Sequence, residues 1–239
     1  MIFENRIRAG QRLAEHLLHH KGEDGIVLAL PRGGVPVGYE VAQSLDFPLD
    51  IVLVRKLGAP IQPELAMGAI ASGGVRVLND DVISMLQIDD ESIERVASVE
   101  QQELERRERV YREDRPPADV EGRTVILVDD GIATGATTRA AVLALQDRQA
   151  RKVVIAVPVA PSDTIEMLGE LVDEVVCLET PEPFGAIGRF YVHFEPVLDD
   201  DVRDLLRRAA LSATNTKATA GPAQGTQCGA PTRDRGTRS

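Results

Sequence analysis

The chain has 239 residues, 43% of them hydrophobic but only 3% aromatic, which is enough for one sizeable α/β core and does not require a second domain. Its 27 lysines and arginines face 38 acids, and because residues 211–239 hold four of those bases and one acid, the rest of the chain carries a net charge of −14. That balance argues against nonspecific nucleic-acid or anionic-membrane binding, the lack of a long apolar run or signal-like start makes the cytoplasm the default location, and two cysteines, Cys177 and Cys228, supply neither a disulfide framework nor a metal spacing.

Taken in chain order, the pattern predicts a first helix from about Glu4 to His20, with Ile7, Leu13, Leu17 and Leu18 toward one side. His16, His19 and His20 in it lack a metal-ligand spacing. A strand at Ile26 to Leu30, a helix at Val35 to Leu45 and a second strand at Ile51 to Val54 follow. Two apolar runs around Gly73-Gly74, between Ala66 and Leu78, read as a hairpin projecting from the sheet. Asp90 to Asp114 reads as a long charged helix resting on the domain, with a thin stripe of Ile93, Val96, Leu104 and Val110, ended by Arg115-Pro116-Pro117. Strands at Val125 to Val128, Val153 to Val159 and Val175 to Leu178 alternate with helices near Thr137 to Gln146 and Thr164 to Leu171. This order predicts an α/β fold with a doubly wound, mostly parallel, five-stranded sheet. Residues 1–210 would form the domain, and the polar composition of 211–239 predicts a disordered tail.

The stretch VILVDDGIATGATT, Val125 to Thr138, carries the chemistry. Its four aliphatic residues suit a strand covered on both faces, and the strand ends in Asp129-Asp130. The small residues that follow leave backbone N–H groups open at the start of a helix, where the dipole and the unpaired donors favour an anion such as phosphate. There is no Walker A lysine, and GGVPVG at Gly33 to Gly38 does not fit GxGxxG, so neither an ATPase nor a Rossmann cofactor site is supported.

That stretch resembles the phosphoribosyl diphosphate (PRPP) motif of type I phosphoribosyltransferases. The resemblance implies that Asp129 and Asp130 grip the ribose 2′ and 3′ hydroxyls, and that Ala133, Thr134, Gly135, Ala136, Thr137 and Thr138 surround the 5′-phosphate. Negative charge there also suits an anomeric carbon that turns cationic in the transition state. Arg32-Gly33-Gly34, within LALPRGGVPVGYEVA, resembles the pyrophosphate loop of xanthine-guanine enzymes, where glycines permit close backbone approach. Arg55-Lys56 is similar to an R-K pair at the end of the second strand in adenine and orotate enzymes, facing the diphosphate.

The resemblance also places a mobile loop at Leu57 to Ile70. Its one carboxylate, Glu64, either handles the proton of the incoming base or caps a turn beside Pro63. The segment from Thr180 to Pro196 stands where the family has a hood. It holds four of the chain's eight phenylalanines and tyrosines, so Phe184, or in its place Phe190 or Tyr191, would stack on a planar base, unless the rings form a small core under the loop. From about Phe3 to Ala210 the chain is similar to bacterial stand-alone phosphoribosyltransferase-domain proteins of undefined substrate.

These resemblances imply Mg²⁺-dependent transfer of a phosphoribosyl group from PRPP to a nitrogen nucleophile such as a nucleobase. Mg²⁺ would be held by PRPP and water near Asp129 and Asp130 with no direct protein cage, and the family allows a homodimer. A noncatalytic PRPP sensor is the rival reading, though no winged-helix or basic RNA-binding segment accompanies the domain. One departure bears on the base: Ala133 stands where hypoxanthine-guanine enzymes place an aspartate that serves the purine N7, which turns the expectation toward adenine-like substrates.

Overall fold

The computed structural model describes residues 2–113 and 115–219. Five parallel strands form the central sheet: β1 (Gly25–Ala29), β2 (Leu49–Ile51), β6 (Thr124–Val128), β7 (Lys152–Val159) and β8 (Glu174–Glu179), in the order β2-β1-β6-β7-β8. A second, antiparallel sheet holds β3 (Val54–Gly58), β4 (Ala66–Ala71) and β5 (Arg76–Leu78). The helices are α1 (Arg6–Leu17), α2 (Gly34–Leu45), α3 (Asp80–Leu86), α4 (Asp90–Arg112), α5 (Ala136–Asp147), α6 (Ser162–Gly169) and α7 (Asp199–Thr219). No helix among the described residues is long and apolar enough to cross a membrane.

Alternation along the central strands sends apolar side chains to both faces, as a doubly wound sheet requires. Val27, Ala29, Ile126 and Val128 enter the core shared with α1, α2, α4 and α7. Ile26, Leu28, Val125 and Leu127 enter the opposite core with Ala141, Val142 and Leu145 of α5 and Leu168 of α6. On α1, Leu13 and Leu17 are buried, whereas Ile7, and Leu18 just past the helix end, are solvent-exposed.

The expected second strand divides in two. Leu49–Ile51 stays in the parallel sheet, but Val54 starts the antiparallel one, pairing with Ala71. Ser72 fixes the divide, because its hydroxyl accepts the Leu53 N–H at 2.8 Å while its own N–H donates to the Leu53 carbonyl at 2.8 Å. The expected hairpin turns at Gly73 and Gly74, both with positive φ. It gains β3 as a third strand and packs against α4 and α5 instead of projecting freely. Residues 211–219, expected in the disordered tail, continue α7, and 220–239 lie outside the described residues.

Helix α4 begins at a cap, since the Asp89 carboxylate accepts the Ser92 N–H at 2.7 Å. Ile93, Ala97, Leu104 and Tyr111 face inward. Near its end the buried Arg112 donates to Asp50 at 3.0 Å, to Glu108 at 2.7 Å and to the Ile51 carbonyl at 2.6 Å. Asp50 also accepts the Ala118 N–H at 2.8 Å, so one network ties α4, β2 and the proline segment together. Removing one member of a buried ion pair leaves an uncompensated charge, at a cost of about 3–5 kcal/mol. Arg112→Ala is therefore expected to lower the unfolding free energy by about that amount, as read from the urea midpoint; a midpoint like wild type would show the network to be energetically idle.

Candidate active site

Strand order reverses direction between β1 and β6, the place where open α/β sheets bind ligands beyond the carboxyl ends of their strands. The two strands run in register, Ala29 beside Val128, and the Leu30 N–H donates to the Val128 carbonyl at 2.9 Å. Their following turns therefore lie side by side. A Cβ on Gly33 would sit 2.0 Å from Asp130 Oδ2, and one on Gly34 would sit 2.7 Å from the Val128 carbonyl oxygen and 2.9 Å from Asp129 Cα. Only glycine lets the Arg32-Gly33-Gly34 turn approach the acid pair so closely.

The two acids have different surroundings. Asp130 is 8% exposed, and its Oδ2 accepts Arg6 Nε at 2.7 Å. Arg6 extends from the first turn of α1, donates through Nη1 to the Glu195 carbonyl at 2.9 Å, and stacks its guanidinium 3.8 Å from the Phe194 ring centroid. The Tyr191 hydroxyl donates to the Asp130 carbonyl at 2.6 Å, and burial raises its phenol's pKa. Asp129 is half-buried and accepts the Asp130 N–H at 2.8 Å. Burial, and then the neighbouring Asp130 carboxylate, push the Asp129 carboxyl well above the usual carboxylate range. Arg6 and Tyr191 thus lock Asp130, leaving Asp129 as the acid in need of a partner.

Beyond the acids, the chain passes Gly131 and Ile132 and reaches α5. Ala133, Thr134, Ala136 and Thr137 are exposed, while Gly135 and Thr138 are buried. The Ala133 carbonyl is fixed by the Thr164 hydroxyl at 3.1 Å. Gly135 caps α5 with φ 72° and no side-chain hydrogen bond. An exposed helix start capped this way leaves first-turn N–H groups and the positive end of the dipole open shortly after Asp130 in the chain.

Of the other expected site residues, Arg32 stands on the glycine turn itself, exposed and 3.6 Å from Asp199 of α7. Arg55 and Lys56 lie on β3, not at the end of a parallel strand, so neither is placed as expected. Arg55 Nε donates to Glu100 of α4 at 2.7 Å, and Lys56 donates to the Glu64 carbonyl at 3.2 Å. Half of the segment expected as a mobile loop belongs to β3 and β4, and residues 59–65 form the connection between them. Glu64 sits in that connection with a 98% exposed side chain, 3.9 Å from Lys56, and the structure does not bring it to the acids. Phe184 packs on Phe190 with centroids 5.3 Å apart, in a cluster with Phe3, Tyr191 and Phe194, so the rings do form a small core beneath the hood.

Sequence reasoning passed over Arg6 and the α4 residues Arg106, Arg107 and Tyr111. Arg107 lines both a cavity of about 390 Å³ beside Pro31 and Arg32 and a smaller one of about 50 Å³ that reaches Arg55 and Thr137. The run RRERVYR was the available signal, but it reads equally as a solvated face.

A sequence description of the phosphoribosyl transferase domain matches residues 1–195. A Mycobacterium tuberculosis (strain ATCC 25618 / H37Rv) protein provisionally named a phosphoribosyl transferase is 48% identical over 208 residues, 87% of this chain and 47% of that protein. The chain thus spans about half the length of the curated relatives it matches. The crystal structure of TT1426 from Thermus thermophilus is similar with a TM-score of 0.79 at 44% identity, covering 87% of this chain and 99% of that one.

The unlike environments of the acids give opposite expectations for their amides. An acid whose folded pKa is raised destabilises the fold once ionised; the penalty is absent below its ordinary value of about 3.9 and grows as pH rises. Asp129→Asn is expected to raise the Tm at neutral pH, with the gain vanishing toward acid. Asp130→Asn strips Arg6 of its carboxylate and is expected to cost about 1–3 kcal/mol. Thermal melts of both variants across pH check the pair, and equal shifts of one sign would contradict it.

Proposed function

Because the chain belongs to the phosphoribosyl transferase domain family, we propose that it transfers a phosphoribosyl group from PRPP to a nitrogen nucleophile, a nucleobase, with release of pyrophosphate. The observation that carries this reading is the glycine turn packed against the acid pair, with the glycine-capped start of α5 only six residues beyond Asp130. In the reaction the bond from the anomeric carbon to the diphosphate oxygen breaks and a bond to the base nitrogen forms. The diphosphate departs with the bonding pair, and the base's N–H proton passes to water.

Each feature has a part in that step. Asp129 accepts hydrogen bonds from the ribose hydroxyls, which favour its ionised form and relieve the cost of its burial. Its negative charge then faces the carbon where positive charge develops. Asp130, held by Arg6, fixes the Asp129 side chain through its backbone N–H. First-turn N–H groups of α5 bind the 5′-phosphate with the hydroxyls of Thr134, Thr137 and Thr138. Backbone groups of Gly33 and Gly34 and the Arg32 side chain receive the diphosphate. Arg107 lines one small cavity with Pro31, Thr137 and Arg55 and joins Arg55 in the cationic role toward the diphosphate, each of the two being held by a glutamate, Glu103 and Glu100.

The site suits Mg²⁺: Asp129 offers hard oxygen donors beside a crevice open to water, and the ion takes few protein ligands when phosphates supply the rest. Bound there with PRPP, it would neutralise charge on the leaving diphosphate. The base would lie toward the hood, near Phe184. Ala133 has a methyl group that can neither accept nor donate a proton, a reason to expect adenine-like bases over hypoxanthine or guanine.

Pyrophosphate release from PRPP with Mg²⁺, screened over purines, pyrimidines and nicotinate-like bases, tests this reading; turnover with at least one base is expected. Silence across the panel with tight PRPP binding would replace it by the sensor reading. Gly135→Val crowds the φ 72° cap against Thr164 and Met167 and is expected to lower kcat/KM by about 10²- to 10³-fold, with a thermal melt confirming that the variant is folded. Glu64→Gln is expected to leave kcat close to wild type, and a large loss would return that exposed carboxylate to the reaction.

A further inference from the structure

At the end of the sheet opposite the acids, the starts of β6, β7 and β8 meet the short 3₁₀ turn Leu18–His20 that follows α1. His19 and His20 come from this turn, and Glu174 is the first residue of β8. Each offers a ligand atom, and the three atoms lie within 4.8 Å of one another. His19 Nε2 is 2.9 Å from Glu174 Oε1, and His20 Nε2 is 3.2 Å from Glu174 Oε2. His16, which sequence spacing grouped with them, points elsewhere, its Nδ1 3.0 Å from the Arg12 carbonyl.

His20 is the informative residue. It is fully buried, yet its Nε2 has no hydrogen-bond partner among the described residues. Its Nδ1 lies 2.9 Å from Glu23 Oε1. Glu23 is anchored in turn, accepting the Thr124 hydroxyl at 2.6 Å. In the tautomer that donates Nδ1–H to Glu23, the Nε2 lone pair lies 3.2 Å from Glu174 Oε2, a lone-pair contact that a bound cation would relieve. A carboxylate behind a histidine in this way orients a metal-ligating imidazole and raises its basicity.

We propose that His19, His20 and Glu174 form a binding site for a borderline transition metal of the Zn²⁺ class, with Glu23 orienting His20 and water completing a four-coordinate shell. Two histidines and one carboxylate with an open position are an established ligand set for this ion. Metal–ligand bonds of about 2.0–2.1 Å imply tetrahedral edges of about 3.3 Å; the two short separations run to different oxygens of Glu174, and the three ligand atoms, within 4.8 Å of one another, close onto one ion by small side-chain rotations. Neighbouring cations decide which metal fits. Lys152 Nζ is 2.9 Å from Glu174 Oε2, and Arg151 is 3.5 Å from Glu23 Oε2, so both carboxylates are already balanced. A hard ion that relies on several free carboxylates gains little here, whereas imidazole nitrogens favour Zn²⁺. His19 is half-exposed and gives the ion a way in. Bound metal would tie the end of α1 to β8, while Arg6 at the other end of α1, ~18 Å along the helix, holds Asp130.

The test uses the full chain, free of any affinity tag and stripped by chelator. Calorimetry with Zn²⁺ is expected to show one equivalent bound, with a rise in Tm that EDTA reverses, and Co²⁺ is expected to give the intense visible absorption of a four-coordinate site. His19→Ala alters an exposed side chain, so its metal-free Tm should match metal-free wild type while all three signals disappear; Glu174→Gln should weaken them. Absence of stoichiometric binding would overturn the proposal. So would Zn²⁺ binding that survives His19→Ala, which would place the metal elsewhere, or Mg²⁺ binding that depends on His19.

Discussion

The close packing of the Gly33-Gly34 backbone against Asp129-Asp130 is the constraint on which the rest of this structure depends. Adjacent carboxylates repel, and burying them raises the cost. The protein meets that cost on one side only: Arg6 neutralises Asp130 and leaves Asp129 to its ligand. This requires α1 to lie with its first turn over the acids, and the hood is built around the same contact. Phe3 N–H donates to the Phe190 carbonyl at 2.7 Å and Val192 N–H to the Phe3 carbonyl at 2.8 Å, which fixes the chain start beside the hood. Tyr191 then reaches the Asp130 carbonyl from the hood itself. Chain start, sheet tip and hood converge on one buried ion pair.

Helix α4 and the small antiparallel sheet form the other wall. Glu100 holds Arg55, the Arg112 network fixes the helix end to β2, and between them Arg107, held by Glu103, lines the cavity beside Pro31 and Thr137. Tyr111 donates to Asp199 at 2.7 Å, and burial together with that carboxylate pushes its pKa up to about 12, so it remains a hydrogen-bond donor at any ordinary pH. Through Asp199 the wall continues to Arg32 of the glycine turn. The helix that reads as a solvated rod is thus half a surface and half a structural member.

The parts legible in the sequence are those set by local pattern. The five parallel strands, the glycine turn, the acid pair and the helix start after the small-residue loop each follow from apolar runs and turn chemistry over a few residues. What was illegible depends on partners far apart in the chain. Val54 reads as the end of a strand because nothing local shows that Ala71 will pair with it. That Glu100 will hold Arg55 has no local sign either, because it lies well along the chain. Arg6 gives no local sign that it will meet Asp130, and His19-His20 lacks a metal spacing until Glu174 joins it from β8. Phe184 shows the converse: aromatic enrichment was visible, but which faces of the rings are covered is a tertiary fact.

The central claim is that PRPP binds where the glycine turn meets the acids. Calorimetric titration of PRPP with Mg²⁺ into wild type and Gly33→Ala tests it most directly, because a Cβ at Gly33 would occupy the place of Asp130 Oδ2. The expected result is one PRPP per wild-type chain and binding lost or severely weakened in a variant that still melts cooperatively. Wild-type affinity in a folded Gly33→Ala protein would contradict the account.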